Sequence, residues 1–299
     1  MRICILGAGS LGSALGALLA ESNEVTLIGR KIHVDAVRAK GLSMVGERRF
    51  KVFLPAHDSI SGLEPPDLIV VATKAYSTES VIETCRSWSL EHTKVLTLQN
   101  GLGNIELLRE WAGARAFGGT TTMGATMLRP GVVRLAGIGR TVVGSDIDSV
   151  GARAIEKAFS DSGIPVKTSD NVHGELWAKA IVNASINPLT AILGVSNGQL
   201  LCSPSISRLM GEVCRECERV ARAVEVPLPY RSMATRARRV AADTSKNTSS
   251  MLQDVMRGRR TEIREINGYF CRIGRTLGVG TVLNDMLVST VESMNTEKG

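Results

Sequence analysis

The order of hydrophobic and polar positions gives the first half of the chain the pattern of a layered α/β domain. Short aliphatic runs alternate with segments of helical spacing, which is typical of a parallel sheet covered on both faces. The clearest predicted strands are residues 2–6, 24–28, 67–73 and 94–99, and the predicted helices are 10–21, 32–40, 76–86 and 104–111. From 115 to 144 the pattern is again β-like, and Pro130-Gly131 predicts a hairpin turn.

The second half has a different pattern. After about residue 170 the β-like runs stop, and apolar positions recur at helical spacing. Helices are predicted at 172–193, 204–224, 230–242, 249–256, 262–277 and 282–294. We therefore expect two domains, an α/β domain at 1–168 and an all-α domain at 169–299.

Length and composition exclude several classes of protein. The chain has 299 residues, 43% of them hydrophobic, so it can bury one or two sizeable cores. No apolar run reaches the roughly 18 residues of a membrane span. Arg2 and the apolar stretch after it superficially resemble a secretory signal, but glycines at 7, 9, 12 and 16 fit a strand, a tight turn and a helix.

Cysteines and charge narrow the expected location and partners. Six cysteines are few for this length and predict reduced thiols in a cytoplasm. Cys214 and Cys217 form one CxxC, but no second pair or neighbouring histidine completes a zinc site, so we expect no metal. The formal net charge of +7 favours acidic partners. With only 4% aromatic residues and no recognised nucleic-acid motif, an anionic small molecule is expected rather than nucleic acid.

A glycine-rich turn follows the first predicted strand and opens the first predicted helix. It has the form GxGxxG and comprises Gly7, Ala8, Gly9, Ser10, Leu11 and Gly12. In a Rossmann domain the first glycine permits the tight turn, the second lets the backbone approach a pyrophosphate, and the third lets helix and strand pack closely. The motif alone is weak evidence, but its place between a strand and a helix predicts dinucleotide binding.

The end of the second predicted strand indicates which dinucleotide is bound. An acidic residue there would accept hydrogen bonds from the ribose 2′-hydroxyl of NAD. This chain instead has Arg30 and Lys31, two cations that suit the 2′-phosphate of NADP. The alternative is that both are ordinary surface residues.

The long helix predicted at 172–193 carries candidate chemistry. Lys179, Asn183 and Asn187 are spaced four apart and so share one narrow face. The lysine could donate a proton to a carbonyl oxygen, and the amides could bind a polar substrate. Alternatively Glu175, one turn before Lys179, could form an ordinary surface ion pair with it, and spacing alone does not decide between the two.

A partner for the lysine is predicted on the helix beginning near Thr261. Apolar residues of this segment define a buried face, with Glu262 at its edge and Glu265 pointing away. Glu262 is therefore the carboxylate expected to face a site. A glutamate in a first helical turn is also what capping and the helix dipole favour, which is the competing explanation.

These residues lie in motifs that resemble a known family over essentially the full chain. The motifs are GAGSLG at 7–12, TKAY at 73–76, QNGLG at 99–103, GTTTMGA at 119–125, ELWAKAIVNASINPLTAI at 175–192, SSMLQD at 249–254 and TEIREING at 261–268. The chain resembles the 2-dehydropantoate 2-reductases, also called ketopantoate reductases. The resemblance implies a Rossmann domain followed by an all-α domain, as in 6-phosphogluconate dehydrogenase relatives.

The resemblance also implies an activity, NADPH-dependent reduction of 2-dehydropantoate to pantoate on the route to pantothenate and coenzyme A. Lys179 would donate the proton, and Glu262 would orient it and contact the cofactor or substrate. Three asparagines would bind the substrate hydroxyls and a serine its carboxylate, namely Asn183, Asn187, Asn197 and Ser250. The cofactor would contact Lys74, Asn100 and Ala125, with Asn100 also reaching the substrate. Met123 departs from the histidine that is frequent in the family, which leaves its local contacts open.

The expected mechanism treats Lys179 as a lysine with a near-normal pKa of about 10.4, charged at neutral pH and able to act as an acid without tuning. Two other functions stay open, reduction of a different small 2-oxo or 3-hydroxy acid, and a non-catalytic NADP-binding sensor. We expect a cytoplasmic protein, with a homodimer as a possible assembly and no nucleic-acid or membrane partner.

Overall fold

The computed structural model describes residues 1–296, which divide into two units. The first comprises Met1–Gln99 and Asn104–Val172, and the second comprises Asn100–Gly103 and the chain from His173 onward. The chain thus passes to the second unit slightly beyond the predicted boundary at 168, and the short loop at 100–103 groups with the second unit. Residues 297–299 of the predicted second domain lie outside the described residues.

The first unit alternates strands and helices, as its hydrophobic pattern predicts. Its strands are β1 (Arg2–Leu6), β2 (Glu24–Ile28), β3 (Leu42–Gly46), β4 (Phe50–Val52), β5 (Ala56–His57), β6 (Leu68–Val71), β7 (Lys94–Thr97), β8 (Ala116–Thr121), β9 (Gly124–Arg129), β10 (Val132–Gly137), β11 (Thr141–Gly144) and β12 (Val166–Thr168). Its helices are α1 (Ser10–Leu19), α2 (Lys31–Lys40), α3 (Thr78–Cys85), α4 (Asn104–Ala112) and α5 (Ser149–Ser160).

Two sheets organise this unit. The larger has eight strands in the order β12-β11-β8-β7-β6-β1-β2-β5, and the smaller has four in the order β4-β3-β10-β9. In the larger sheet, β1 pairs in parallel with β2 and β6, and β6 with β7, while β11 runs antiparallel to β8. All four residues of β6 are buried, as expected of a central parallel strand covered on both faces. The carboxyl ends of β1, β6 and β7 therefore lie along one edge.

Several elements of the first unit were not predicted. Strands β4, β5 and β12 have only two or three residues, and such segments carry too little alternation to distinguish from loops. Strand β3 is as long as β1 but was also missed. Helix α5 was also missed, although its start has a clear signal, since Asp148 accepts a hydrogen bond from the backbone N–H of Gly151 at 2.7 Å. The predicted turn at Pro130-Gly131 does connect β9 to β10.

The second unit is helical, with α6 (Val172–Leu193), α7 (Pro204–Ala223), α8 (Met233–Asp243), α9 (Ser250–Met256), α10 (Asn267–Leu277) and α11 (Val282–Thr296). The prediction of an α/β domain followed by an all-α domain is thus confirmed. Serines cap three of these helices, Ser203, Ser232 and Ser249 each accepting a hydrogen bond from the first turn. Among the described residues, no helix combines the length and the apolar character needed to cross a membrane.

The prediction of a helix from 262 was wrong, because regular helix begins only at Asn267. Residues 262–266 instead form successive turns in which the carbonyl of Glu262 accepts from the N–H groups of Glu265 and Ile266. The N–H of Gly268 then reaches the carbonyl of Ile263, one residue farther than an α-helix requires. Glu262 is consequently carried by a turn, and it does not belong to a helical face.

Candidate active site

The glycine loop between β1 and α1 has the stereochemistry of a phosphate cradle. Gly7 has φ of +105°, and a Cβ there would lie 2.5 Å from the backbone nitrogen of Thr73. A Cβ on Gly12 would overlap the carbonyl oxygen of Gly7, so both positions demand glycine. A Cβ on Gly9, by contrast, would have no neighbour within 4 Å. Protein atoms therefore pack directly against the loop at Gly7 and Gly12, whereas the space next to Gly9 is free of them.

Helix α1 presents its N-terminus at this opening. Gly9 is the N-cap and provides no side-chain cap, so the first-turn amides of α1 are directed outward with the positive end of the helix dipole. The hydroxyl of Ser10 accepts a hydrogen bond from the N–H of Met127 at 2.9 Å, which fixes that side chain. Leu11 is half-buried against the core. An exposed helix N-terminus of this kind suits a pyrophosphate.

The two cations after β2 differ in their surroundings. Arg30 is exposed at the N-cap of α2, and Lys31 pairs with Asp35 one turn later, at 3.3 Å. Arg30 is therefore the better candidate for a 2′-phosphate. Its charge also acts on buried His33, whose pKa is lowered by burial first and by Arg30 second. Nδ1 of His33 accepts from the N–H of Gly131 at 3.1 Å, so its proton lies on Nε2, facing the hydroxyl of Ser13.

Buried Gln99 connects the segments that follow β6 and β7 in the first unit. Its amide nitrogen donates to the hydroxyl of Thr73 at 3.1 Å and to the carbonyl of Lys74 at 3.2 Å. Its side-chain oxygen accepts from Thr78 and Thr97. The segment after β6 that carries Lys74 is thereby fixed to the end of β7. Gln99 begins the motif at 99–103, but no role was predicted for it.

The remaining predicted cofactor residue of the first unit lies in the smaller sheet. Ala125 is half-buried in β9, opposite Leu135 of β10. Met123, just before β9, is 8% exposed and belongs to the hydrophobic core of the first unit. The methionine at this position is thus a packing residue within the first unit.

Lys179 lies on α6 with Asn183 and Asn187, as predicted. The helix spans Val172–Leu193 as a single element, so the three side chains share a face. Burial lowers the pKa of Lys179 to about 8, and attraction to Glu262 partly offsets that decrease. The near-normal pKa expected from the sequence was therefore wrong, because it took no account of desolvation. The carboxylate that acts on the lysine is Glu262, which favours a functional pair over a surface contact with Glu175.

Glu262 is brought to this place by two segments far apart in sequence. It is 5% exposed, and one of its carboxylate oxygens accepts a hydrogen bond from the amide of Asn100 at 3.3 Å. The N–H of Leu102 donates to the carbonyl of Glu265 at 3.1 Å, and a Cβ on Gly101 would overlap that carbonyl oxygen. Glu265 was predicted to point away from the buried face. It is half-buried and pairs with Arg260 at 3.3 Å.

The predicted substrate residues of the second unit are linked through the end of α6. Asn187 is 6% exposed, and Thr190, one turn on, donates to the hydroxyl of Ser249 at 2.7 Å. Ser249 caps α9, so exposed Ser250 begins that helix beside the end of α6. Asn197 donates to the hydroxyl of Thr244 at 2.9 Å, and its buried side-chain oxygen has no hydrogen-bond partner among the described residues.

Two family models cover most of the chain. Ketopantoate reductase PanE/ApbA matches residues 3–146, and Ketopantoate reductase PanE/ApbA C terminal matches residues 171–295. A 2-dehydropantoate 2-reductase of Pyrococcus horikoshii is 37% identical over 98% of this chain and 97% of its own length. The chain belongs to the ketopantoate reductase family. The resemblance inferred from the sequence motifs is thereby confirmed.

Solved structures of the ketopantoate reductase family and of a related dehydrogenase share the fold. The PanE/ApbA family ketopantoate reductase of Ralstonia eutropha is 33% identical, with a TM-score of 0.92 and 99% of both chains covered. A D-mandelate dehydrogenase, solved with NADH and anilino(oxo)acetate, is 29% identical, with a TM-score of 0.93 and 99% of both chains covered. The same architecture thus accompanies reductases named for different 2-oxo or 2-hydroxy acids.

Within the fold of this ketopantoate reductase family member, the predicted site residues form two groups, one in each unit. The first unit holds the glycine loop, Arg30, Lys74 and Ala125, and the second holds Asn100, Lys179, Glu262 and the substrate candidates. Asn100 follows β7 of the first unit in sequence, yet its amide contacts Glu262 of the second. The two residues lie 162 positions apart, so no local pattern predicts that contact.

Proposed function

We propose that this chain reduces 2-dehydropantoate to pantoate with NADPH. Membership in the ketopantoate reductase family supports the reaction, and the coupling of Lys179 to Glu262 is the observation that carries it. A sensor that only bound NADP would not need a partly desolvated lysine beside a buried carboxylate. The glycine loop and Arg30 support a phosphorylated dinucleotide as cofactor.

The proposed mechanism assigns each step to residues of the chain. When bound, NADPH supplies the hydride that adds to C2 of the oxo acid. Lys179 gives its Nζ proton to the ketone oxygen, which prevents alkoxide charge from accumulating there. Glu262 keeps the lysine protonated by attraction, and Asn100 holds the Glu262 carboxylate by donating to it. Asn183 and Asn187 share the lysine's face and bind the polar end of the substrate.

We expect the reduction rate to depend on pH through Lys179. The acid form of the lysine is needed, and its pKa is lowered to about 8. Activity should therefore be retained below pH 8 and fall as the pH rises through that value. In Glu262→Gln the attraction that raises the pKa is absent, so the decline should begin at lower pH. The measurement is kcat/KM against pH for both proteins. Identical profiles would show that Glu262 does not affect the ionisation of Lys179.

We expect Arg30→Ala to reduce the preference for NADPH over NADH. A hydrogen bond to a charged group contributes about 1.5–3 kcal/mol, so the ratio of the two dissociation constants should change roughly 10- to 100-fold. Lys31→Ala is the matched control and should change the ratio less, because Lys31 already pairs with Asp35. The ratio is measured by cofactor titration. Equal affinities in the parent protein would contradict the assignment.

We expect Asn183→Ala and Asn187→Ala to raise KM for the oxo acid while NADPH binding stays nearly intact. Each lost hydrogen bond to a buried polar group should cost about 1–3 kcal/mol. Ser185→Ala on the same helix is the control, since the Ser185 hydroxyl donates to the carbonyl of Val182 within α6. Steady-state kinetics would show the difference. Unchanged KM in both asparagine variants would place these amides outside the site.

The direct test of the proposed function is NADPH oxidation followed with 2-dehydropantoate. The competing substrate is the aromatic 2-oxo acid that corresponds to mandelate, because a mandelate dehydrogenase shares the fold. The polar face of α6 favours the hydroxylated, non-aromatic acid, so kcat/KM should be higher for 2-dehydropantoate. A higher value for the aromatic acid would assign the chain to the second activity, and no turnover of either acid would favour the sensor.

We also propose a cytoplasmic location and a homodimeric assembly. All six cysteines are free thiols, which fits a reducing compartment. Cell fractionation tests the location and sedimentation equilibrium tests the assembly.

A further inference from the structure

Proline interrupts the hydrogen-bond ladder of the helix that carries the catalytic candidate. Pro188 lies inside α6 and has no N–H group. In a regular α-helix that N–H would donate to the carbonyl four residues earlier, which belongs to Ala184. Ala184 is fully buried and lies between the two asparagines of the polar face, Asn183 and Asn187. Its carbonyl therefore needs a donor from elsewhere in the protein.

That donor is the side chain of Asn267. Its amide nitrogen lies 2.9 Å from the Ala184 carbonyl oxygen and 2.9 Å from the side-chain oxygen of Asn284. The Ala184 carbonyl can only accept, so the atom facing it must be the nitrogen, and both amide hydrogens are used. Asn267 is fully buried. An isosteric aspartate could not replace it, because an ionised carboxylate has no hydrogen to donate.

Asn267 is itself held in place by a buried polar network. The amide of Asn284 donates to the carboxylate of Glu216 at 2.8 Å, and that carboxylate also accepts from the backbone N–H groups of Leu283 and Asn284. Glu216 is 6% exposed. Because it lies on α7 and accepts from the first backbone N–H groups of α11, it caps the start of that helix. The orientation of the Asn267 amide is thereby fixed by its bond to α11 as well as by its bond to α6.

The position of Asn267 in the chain connects this network to the candidate active site. It is the first residue of α10, directly after the turns that begin at Glu262. Those turns are closed by hydrogen bonds from Ile266 to Glu262 and from Gly268 to Ile263. A displacement of Asn267 relative to Ala184 would therefore move Glu262 relative to the face of α6.

We infer that Asn267 is a positioning residue for catalysis: by donating to the carbonyl that Pro188 leaves without a helical partner, it sets the distance between Glu262 and Lys179. This inference rests on the proposed roles of those two residues. It assigns Pro188 a function as well. Because Pro188 has no N–H, the carbonyl of Ala184 can accept a hydrogen bond from Asn267 of α10.

The test is a double-mutant cycle of Asn267→Ala and Pro188→Ala. Pro188→Ala restores an N–H that can donate to Ala184, which makes the Asn267 bond less necessary. Three quantities are measured for each protein: Tm, kcat for NADPH oxidation, and the midpoint pH at which cyanate carbamylates Lys179, determined by peptide mass spectrometry without substrate. Asn23→Ala is the control, because the Asn23 amide also donates to helix carbonyls, those of Leu19 and Ala158, but in the first unit.

Asn267→Ala is expected to lower kcat at least about tenfold, since small misplacements at a reacting centre have effects up to about 100-fold. Its carbamylation midpoint should move to lower pH as Glu262 withdraws from Lys179. Both changes should shrink in the Pro188→Ala background, and Asn23→Ala should lower Tm alone. If Asn267→Ala does not fold, Asn267→Ser, which keeps one donor, is measured in both backgrounds.

Two results would overturn the inference. One is a lower Tm with unchanged kcat and midpoint, which would make Asn267 a residue of stability alone. The other is an equal loss in both backgrounds, which would separate it from Pro188. The midpoint pH of carbamylation is measured without substrate, so it tests the positioning role independently of activity. A parent protein inactive on 2-dehydropantoate would therefore count against the proposed function alone.

Discussion

Lys179→Ala is expected to lower kcat for the reduction of 2-dehydropantoate by about 10²- to 10⁴-fold, the range typical for loss of a general acid. The variant loses both the donated proton and the positive charge that stabilises the forming alkoxide. Fold and cofactor affinity should be retained, because the phosphates of NADPH are assigned to the glycine loop and Arg30, whereas Lys179 is assigned to the ketone oxygen of the substrate. The decisive measurement is kcat, taken beside Tm and the dissociation constant of NADPH.

Lys157→Ala is the matched control for this experiment. Lys157 is an exposed lysine that forms an ion pair one helical turn away, with Asp161 at 2.8 Å, and it should tolerate replacement with no kinetic effect. If Lys179→Ala stayed within about threefold of the parent kcat, it would behave like this control. The lysine would then be an ordinary helix residue and the proposed mechanism would fail.

Gly9→Val is expected to weaken NADPH binding strongly without unfolding the protein. The added side chain would meet no protein atom near its Cβ, so the free energy of unfolding should change little. It would instead occupy the space proposed for the pyrophosphate. Overpacking typically costs about 1–3 kcal/mol, which corresponds to roughly 5- to 150-fold in the dissociation constant. Fluorescence titration with NADPH measures the effect.

Two other glycines provide the comparison. Gly280→Val adds a side chain at an exposed position that also has no neighbour near its Cβ, and NADPH affinity should not change. Gly12→Ala places a Cβ against the carbonyl of Gly7, so that variant should lose thermal stability as well as binding. Unaltered NADPH affinity in Gly9→Val would mean that the phosphates bind elsewhere.

Helices and strands with a regular hydrophobic pattern along their whole length were predictable from the sequence. The first two strands and α6 have the predicted bounds, because each combines a continuous apolar pattern with clear flanking residues. The start of α10 was not predictable. Residues 262–266 have helical spacing of apolar side chains, but tertiary contacts with the loop at 100–103 and a shifted backbone bond at Gly268 impose turns there.

The candidate site was predictable only where it is local in sequence. Lys179, Asn183 and Asn187 were found because one helical period links them. The bond between Asn100 and Glu262 joins positions 162 apart, and no periodic pattern reports such a pair. The pKa of Lys179 was wrong for a related reason, since desolvation depends on neighbours from distant segments. Asn267 escaped notice because its partner is a backbone carbonyl.

The grouping of the loop 100–103 with the helical unit limits how the two halves can be recombined. Family members look like modular fusions, and a chimaera joined near residue 172 would appear to exchange complete halves. Such a hybrid would inherit Asn100 and Leu102 from one parent, and from the other the Glu262 carboxylate and the Glu265 carbonyl that they contact. A chimaera that keeps these contacts must take residues 100–103 from the same parent as the helical half.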